Sequence, residues 1–173
     1  MNMYITFSTL RSSLAYKFFK LRTRAMNDAF QAKLTGSKST LEVFPGTGQR
    51  ISPSRKLVNT TNISVADIVG TFERSADFDR RFRPLKKHSL DRWVNAYMLH
   101  EQNSWSPILV HKVDGKYFVE DGHHRVSVAR SIGMDFIEAK VWEYTTAQSK
   151  SANACEPATS CTEKRPSKAY AAG

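Results

Sequence analysis

The six residues Glu120-Asp121-Gly122-His123-His124-Arg125 gather two carboxylates, two imidazoles and a guanidinium around one glycine. The β-branched and aromatic run before them reads as a strand, and the periodic run after them as a helix. A strand that turns directly into a helix leaves unpaired N–H groups and the positive end of the helix dipole at the strand's carboxyl edge, where anions bind. Gly122 lets the backbone bend tightly and approach a ligand, and His123, His124 and Arg125 are donors suited to phosphate oxygens. The pattern points to a phosphate-binding turn running from Asp121 to Arg125. Glu120, Asp121 and His123 are the candidates for any acid–base chemistry there. Adjacent histidines at such a turn diverge, so direct binding of zinc or iron is not expected. Mg²⁺ carried in with a phosphorylated ligand, held by its phosphates and by Asp121, is the better expectation.

The direction of Arg125 sharpens this reading. On a helical projection Val126, Val128, Ala129 and Ile132 form the buried arc with Arg125 near its middle, while Ser127, Arg130 and Ser131 fall on the opposite, solvent side. An inward guanidinium needs either a carboxylate, with Asp121 nearest in sequence, or a bound anion. Arg74, Asp79 and Arg92 are candidates for the facing wall of a pocket, the alternative being a salt-bridge network on the surface.

The elements that must position these residues follow from pattern and punctuation. Phe7, Leu10, Leu14, Phe18, Leu21 and Ala25 recur at spacings of three and four, which makes residues 1–35 a basic amphipathic helix. Residues 36–56, with three glycines and two prolines among polar residues, read as a linker. The domain proper is expected over residues 57–145. It should contain a short strand at 61–65, a helical turn at 67–70, and a helix that starts at Ser89 and shows Leu90, Trp93, Val94 and Tyr97 on one face. A hairpin of 108–113 with 116–120 should close across Asp114-Gly115, where both turn positions need positive φ. A helix stopped by Gly133 and a last strand at 136–142 complete the domain, and residues 146–173 read as a disordered tail.

The run Lys116 to Arg130, KYFVEDGHHRVSVAR, resembles the ligand-binding segment of the ParB/sulfiredoxin superfamily, and the resemblance extends over roughly residues 60–145. It looks nearest to ParB-like proteins of bacteria and phages. Ile68 to Arg74, Asp77 to Asp79, His88 and Arg92-Trp93 are similar to a bacterial branch that carries an Asp-Gly-His-His-Arg turn. The resemblance implies a small α/β (α+β) domain with a mixed sheet and flanking helices. It also implies that a Gly-x-x-Arg turn, here Gly122 to Arg125, holds the phosphates of a nucleotide such as CTP, ATP or ADP with Mg²⁺. Sulfiredoxin-like enzymes carry a cysteine where this chain has His123, and partition proteins carry a DNA-reading region where about 28 residues follow here. Neither of those activities is expected. Free-serine kinases of the superfamily share the turn and use a glutamate as base, which keeps Glu73, Glu101 and Glu120 open and leaves a kinase, nucleotidase or nuclease as the alternative to a binding protein.

Charge is distributed unevenly. Of 26 basic and 16 acidic residues in 173, ten basic and two acidic fall within residues 1–56, while residues 57–148 hold twelve of each. Affinity for a polyanion, nucleic acid or an anionic membrane, therefore belongs to the N-terminal segment. The first 27 residues lack an acid, a composition that an organellar transit peptide shares. Both cysteines, Cys155 and Cys161, lie in the polar tail and are expected to be free thiols. A domain without disulfides suits a reducing cytoplasm. Arg11 and Lys17 interrupt the longest apolar stretch, so no membrane-spanning segment is expected.

Overall fold

Two residues fix the centre of the sheet. Asp114 and Gly115 have φ of 49° and 76°, the positive pair that a two-residue hairpin turn needs, and they join β4 (Ile108–Val113) to β5 (Lys116–Asp121) with Val113 facing Lys116. The computed structural model describes residues 7–45 and 55–144. On one side of the hairpin β6 (Phe136–Tyr144) runs parallel to β4, and β2 (Arg55–Ser64) closes that edge antiparallel to β6. On the other side β3 (Ile68–Thr71) lies parallel to β5, and β1 (Glu42–Val43) lies parallel to β3. The result is a mixed six-stranded sheet of order β1-β3-β5-β4-β6-β2 in an α/β fold with an N-terminal helix.

This topology assembles the site. Because β3 and β5 run in the same direction and β4 runs against them, the ends of β3 and β5 and the loop entering β4 share one sheet edge. Helix α3 (His123–Ile132) starts there directly from β5. It packs Val126 and Ala129 on the sheet with Ile68, Ile108, Val110 and Val141. Its other side meets α2 (Leu90–Glu101): Val128 joins Trp93, Val94 and Ala96, together with Leu14 and Phe18 of α1 (Phe7–Thr35). The far face of the sheet carries a small aromatic cluster of Phe44, Phe118, Phe72 and Tyr144.

Two expectations change. Within residues 36–56, Leu41 and Phe44 are buried, β1 pairs with β3, and the Phe44 N–H donates to the Thr71 carbonyl at 2.9 Å; this part belongs to the domain, because apolar residues on either side of a two-residue strand anchor it. The expected helical turn at 67–70 is instead the strand β3, whose burial between two parallel neighbours removes any period for a pattern to show. The N-terminal helix is present as expected and packs on the domain: Phe18 is fully buried against Trp93, with ring centroids 5.9 Å apart, and Arg11 pairs with Asp91 at 2.5 Å. Residues 46–54 and the tail with Cys155 and Cys161 lie outside the described residues.

Since Phe18 fills the seam between α1 and α2, Phe18→Ala should lower the unfolding free energy by about 3–5 kcal/mol. Phe30→Ala, on the exposed side of the same helix, should change it by less than about 0.5 kcal/mol. Urea titration followed by tryptophan fluorescence measures both.

Candidate functional site

Helix α3 begins on a residue that only glycine can be. Gly122 sits at φ 98°, and a side chain there would meet Ile108 Cγ2 at 2.5 Å and Cβ at 2.9 Å. The β5–α3 turn is thereby pressed against the first residue of β4. Gly122 offers no side-chain cap, so the first-turn N–H groups of α3 depend on groups outside the helix.

Arg125 points inward, as its place on the helix predicts, and its acceptors are protein groups. One terminal nitrogen reaches the Ser106 carbonyl, Ser106 Oγ at 2.8 Å and the Pro107 carbonyl at 3.2 Å; the other meets Asp121 Oδ2 at 2.5 Å. Its side chain is 15% exposed while that of Asp121 is 74% exposed. Of the two partners the sequence left open, the carboxylate is present. Arg125 braces the loop before β4 onto the helix start.

The opposite face of α3 does not look at solvent. Ser127 is buried and accepts the Trp93 indole N–H at 3.1 Å. Arg130 lies over the Phe82 ring at 4.9 Å and donates to the carbonyls of Ile68, Val65 and Arg80 at 2.5, 3.1 and 3.3 Å. The projection assumed one buried arc, whereas α3 is enclosed by the sheet on one side and α2 on the other.

The two histidines take different positions. His123 is buried, stacked on Phe78, with Nε2 2.7 Å from Thr71 Oγ1, which ties α3 to the end of β3. Among the described residues, His124 Nδ1 is a buried polar atom without a hydrogen-bond partner. Burial, followed by the charges of Arg74 and His124, pushes the His123 imidazole down to about 4; burial, followed by Arg92 and Arg74, does the same for His124. Both rings are neutral at pH 7.

A cavity of about 500 Å³ opens over this helix start, and Glu120, Asp121, Gly122, His123, His124 and Arg125 all line it. Arg74, which follows β3, and Arg92, on α2, form the facing wall, and neither guanidinium has a hydrogen-bond or ion-pair partner among the described residues. Asp79 is not part of that wall. It is buried beneath its own loop, accepting from the Arg83 side chain at 2.7 Å and from the N–H groups of Arg81 and Arg83 at 3.0 and 2.8 Å. Glu73 lines an adjoining cleft with Glu120 and Asp121, and Glu101 lies exposed at the end of α2 away from the lining.

Glu120 accepts from His111 Nε2 at 2.7 Å, and His111 Nδ1 lies 2.8 Å from the Tyr144 hydroxyl. The lining also includes Asn95, Leu99 and Trp105, which were not singled out from the sequence. Arg92, Asn95 and Leu99 are spaced by three and four on α2, so this second stripe was visible beside the apolar one. Trp105 donates its indole N–H to the Ala96 carbonyl at 2.7 Å, a fixed position that nothing in its loop sequence announces. Among the described residues no group of three or more His, Cys, Asp or Glu is placed to hold a metal ion. No family model matches the chain, and neither a curated protein nor a solved structure matches it.

The histidine shifts fix an acid response. The folded-state values near 4 lie below the ordinary 6.5, so between those values the unfolded chain binds more protons and stability falls as the pH drops. At about 1.4 kcal/mol per unit, each ring should withdraw on the order of 3 kcal/mol across that window, with little further change from them outside it. Urea midpoints from pH 8 to 4 should show the fall, and His124→Gln should shrink it; a flat profile between 6.5 and 4.5 contradicts the burial of both neutral rings.

Proposed function

We propose that this chain binds a phosphorylated ligand of nucleotide size in the cavity above α3, in the manner of the ParB-like proteins whose Asp-Gly-His-His-Arg turn it resembles. The observation that carries the reading is the convergence of Arg74 and Arg92, both without partners among the described residues, on a helix start that has no side-chain cap. Both side chains are exposed, so their planar donors are free to take an anion that enters this space. The unpartnered His124 Nδ1 adds a polar group at the same wall. Neutral imidazoles leave three cations against two carboxylates in the lining, a net positive cavity. Its volume falls within the roughly 300–1,000 Å³ of small-molecule sites, and the Trp105 ring offers a nucleobase a flat face. Arg74 and Arg92 take the phosphates, while Arg125 holds the turn in shape. Mg²⁺ would come with the phosphates, with Asp121, the more exposed of the two lining carboxylates, beside them.

A second reading, an enzyme of phosphate chemistry, has one observation in its favour. Glu120 is oriented by His111 at the cavity rim, as a general base must be. Release of phosphate from labelled ATP or CTP that disappears in Glu120→Gln, with binding retained, would select it.

Calorimetric titration with CTP, ATP, ADP and inorganic phosphate, with and without Mg²⁺, tests the binding reading. At least one nucleotide should bind, and Arg74→Ala or Arg92→Ala should each weaken it about thirtyfold or more, as expected when ~2 kcal/mol or more of charge-assisted contact is lost. Arg92→Lys should fall between, because an ammonium lacks the two-pronged donor. Absence of binding across the panel, or alanine variants that bind like wild type, would overturn the proposal.

A further inference from the structure

Helix α1 has two apolar faces, and the domain uses one. At about 100° per residue, Leu14, Phe18, Leu21, Ala25 and Ala32 fall within an arc of about 60°, and all five are buried or half-buried. Tyr16, Phe19, Met26, Phe30 and Leu34 fall within a separate arc of about 80° on the other side, with Thr23 the only polar residue among them. Their exposures are 71, 36, 47, 60 and 67%. They are half of the ten large apolar side chains exposed among the described residues, so the solvated apolar surface is concentrated on one stripe.

The charges beside the stripe say what covers it. Lys20 and Arg24 border one edge and Lys33 the other, where Arg22 turns in to donate to the Leu85 carbonyl at 2.9 Å. Helix α1 carries six basic residues and a single acid, Asp28, which is already paired with Arg83 at 2.6 Å. We infer that this face of α1 docks on an anionic lipid surface, with the helix axis in the membrane plane. An apolar stripe with cations on both edges meets the acyl boundary and the headgroups together, the long stems of Lys and Arg reaching outward to phosphate. The stripe runs about 27 Å from Tyr16 to Leu34. No described helix is long and apolar enough to cross a membrane, so α1 lies on the bilayer.

Other occupants fit less well. Two copies joined through this stripe would set cationic edges against cationic edges, with no free acid on α1 to answer them. The stretch 145–173 is polar, with four basic and two acidic residues, and complements neither the apolar centre nor the basic edges. Nucleic acid would engage the cations but leave Tyr16, Phe30 and Leu34 solvated.

The test is sedimentation of the full chain with vesicles of phosphatidylcholine alone and of phosphatidylcholine mixed with phosphatidylglycerol. The chain should sediment with the mixed vesicles only, less so at high salt. Met26→Ser/Phe30→Ser/Leu34→Ser and, separately, Lys20→Glu/Arg24→Glu/Lys33→Glu should each lower binding by about tenfold or more, while Arg92→Ala, which alters the cavity, should sediment like wild type. A serine variant that sediments like wild type with an unchanged circular dichroism spectrum overturns the inference. So does wild type that ignores both vesicles while shifting duplex DNA or forming a dimer that the serine variant dissolves. Should the serine variant unfold, a dansyl group on Phe30→Cys in a chain with Cys155→Ser and Cys161→Ser supplies the second readout. A blue shift confined to anionic vesicles is expected, and its absence counts against the proposal.

Discussion

A guanidinium taken into the interior must recover the hydrogen bonds that water gave it, and Arg125 recovers four, from the Ser106 carbonyl and hydroxyl, the Pro107 carbonyl and Asp121. Those bonds tie the end of β5 and the first turn of α3, which are consecutive in the chain, to the loop that enters β4, 18 and 19 residues before Arg125. Gly122 makes the joint possible, because any side chain there would collide with Ile108. Once this corner is fixed, His123 can reach Thr71 at the end of β3, which sets the position of Arg74 just beyond it. The other wall depends on α2, whose Trp93 bonds to Ser127 on α3 and so holds Arg92 and Asn95 over the helix start. The cavity is thus a consequence of one braced corner and one helix-to-helix hydrogen bond.

The division of labour among the arginines has a simple electrostatic basis. Arg83, Arg125 and Arg130 each have carboxylates or carbonyls within hydrogen-bonding reach, so their charge serves the fold. Arg74 and Arg92 have none among the described residues; after burial, which does most, the charge of Arg74 lowers both histidines and that of Arg92 lowers His124. A bound phosphate would offset the positive charge that these arginines place beside the histidines, whose neutrality burial secures first. The exposed face of α1 lies on the other side of the helix from Leu14, Phe18 and Leu21, the apolar residues that pack on α2. A ligand site and a lipid-facing surface can therefore coexist in one small domain and be disturbed separately.

How much of this was legible in the sequence depended on the range of the interaction. Local chemistry was readable: the Asp114-Gly115 hairpin, the stop at Gly133, and the strand-to-helix turn at Gly122 all follow from residues acting on their own backbone. The inward direction of Arg125 was readable too, since it needs only helical geometry. What the sequence could not supply was which elements lie on each side of a given one. Ser127 and Arg130 were assigned to solvent because the packing of α2 across α3 is a long-range fact. Asp79 was assigned to the pocket because its partners Arg81 and Arg83, close in sequence, claim it only in the folded loop. The short strands β1 and β3 escaped notice because four residues or fewer carry no period, and the prolines and glycines around β1 outweighed Leu41 and Phe44.

The central claim, that an anion visits the wall formed by Arg74, Arg92 and His124, is tested most directly by nitrogen NMR of the histidine side chains during titration with pyrophosphate. In the free protein His124 and His123 should both show neutral imidazole signals at pH 7. On titration the His124 signal should move in proportion to occupancy, while His123, which lines the cavity but is tied to Thr71, should move less. Movement of neither ring up to saturating pyrophosphate, or a response confined to histidines outside the cavity such as His88, would contradict the account.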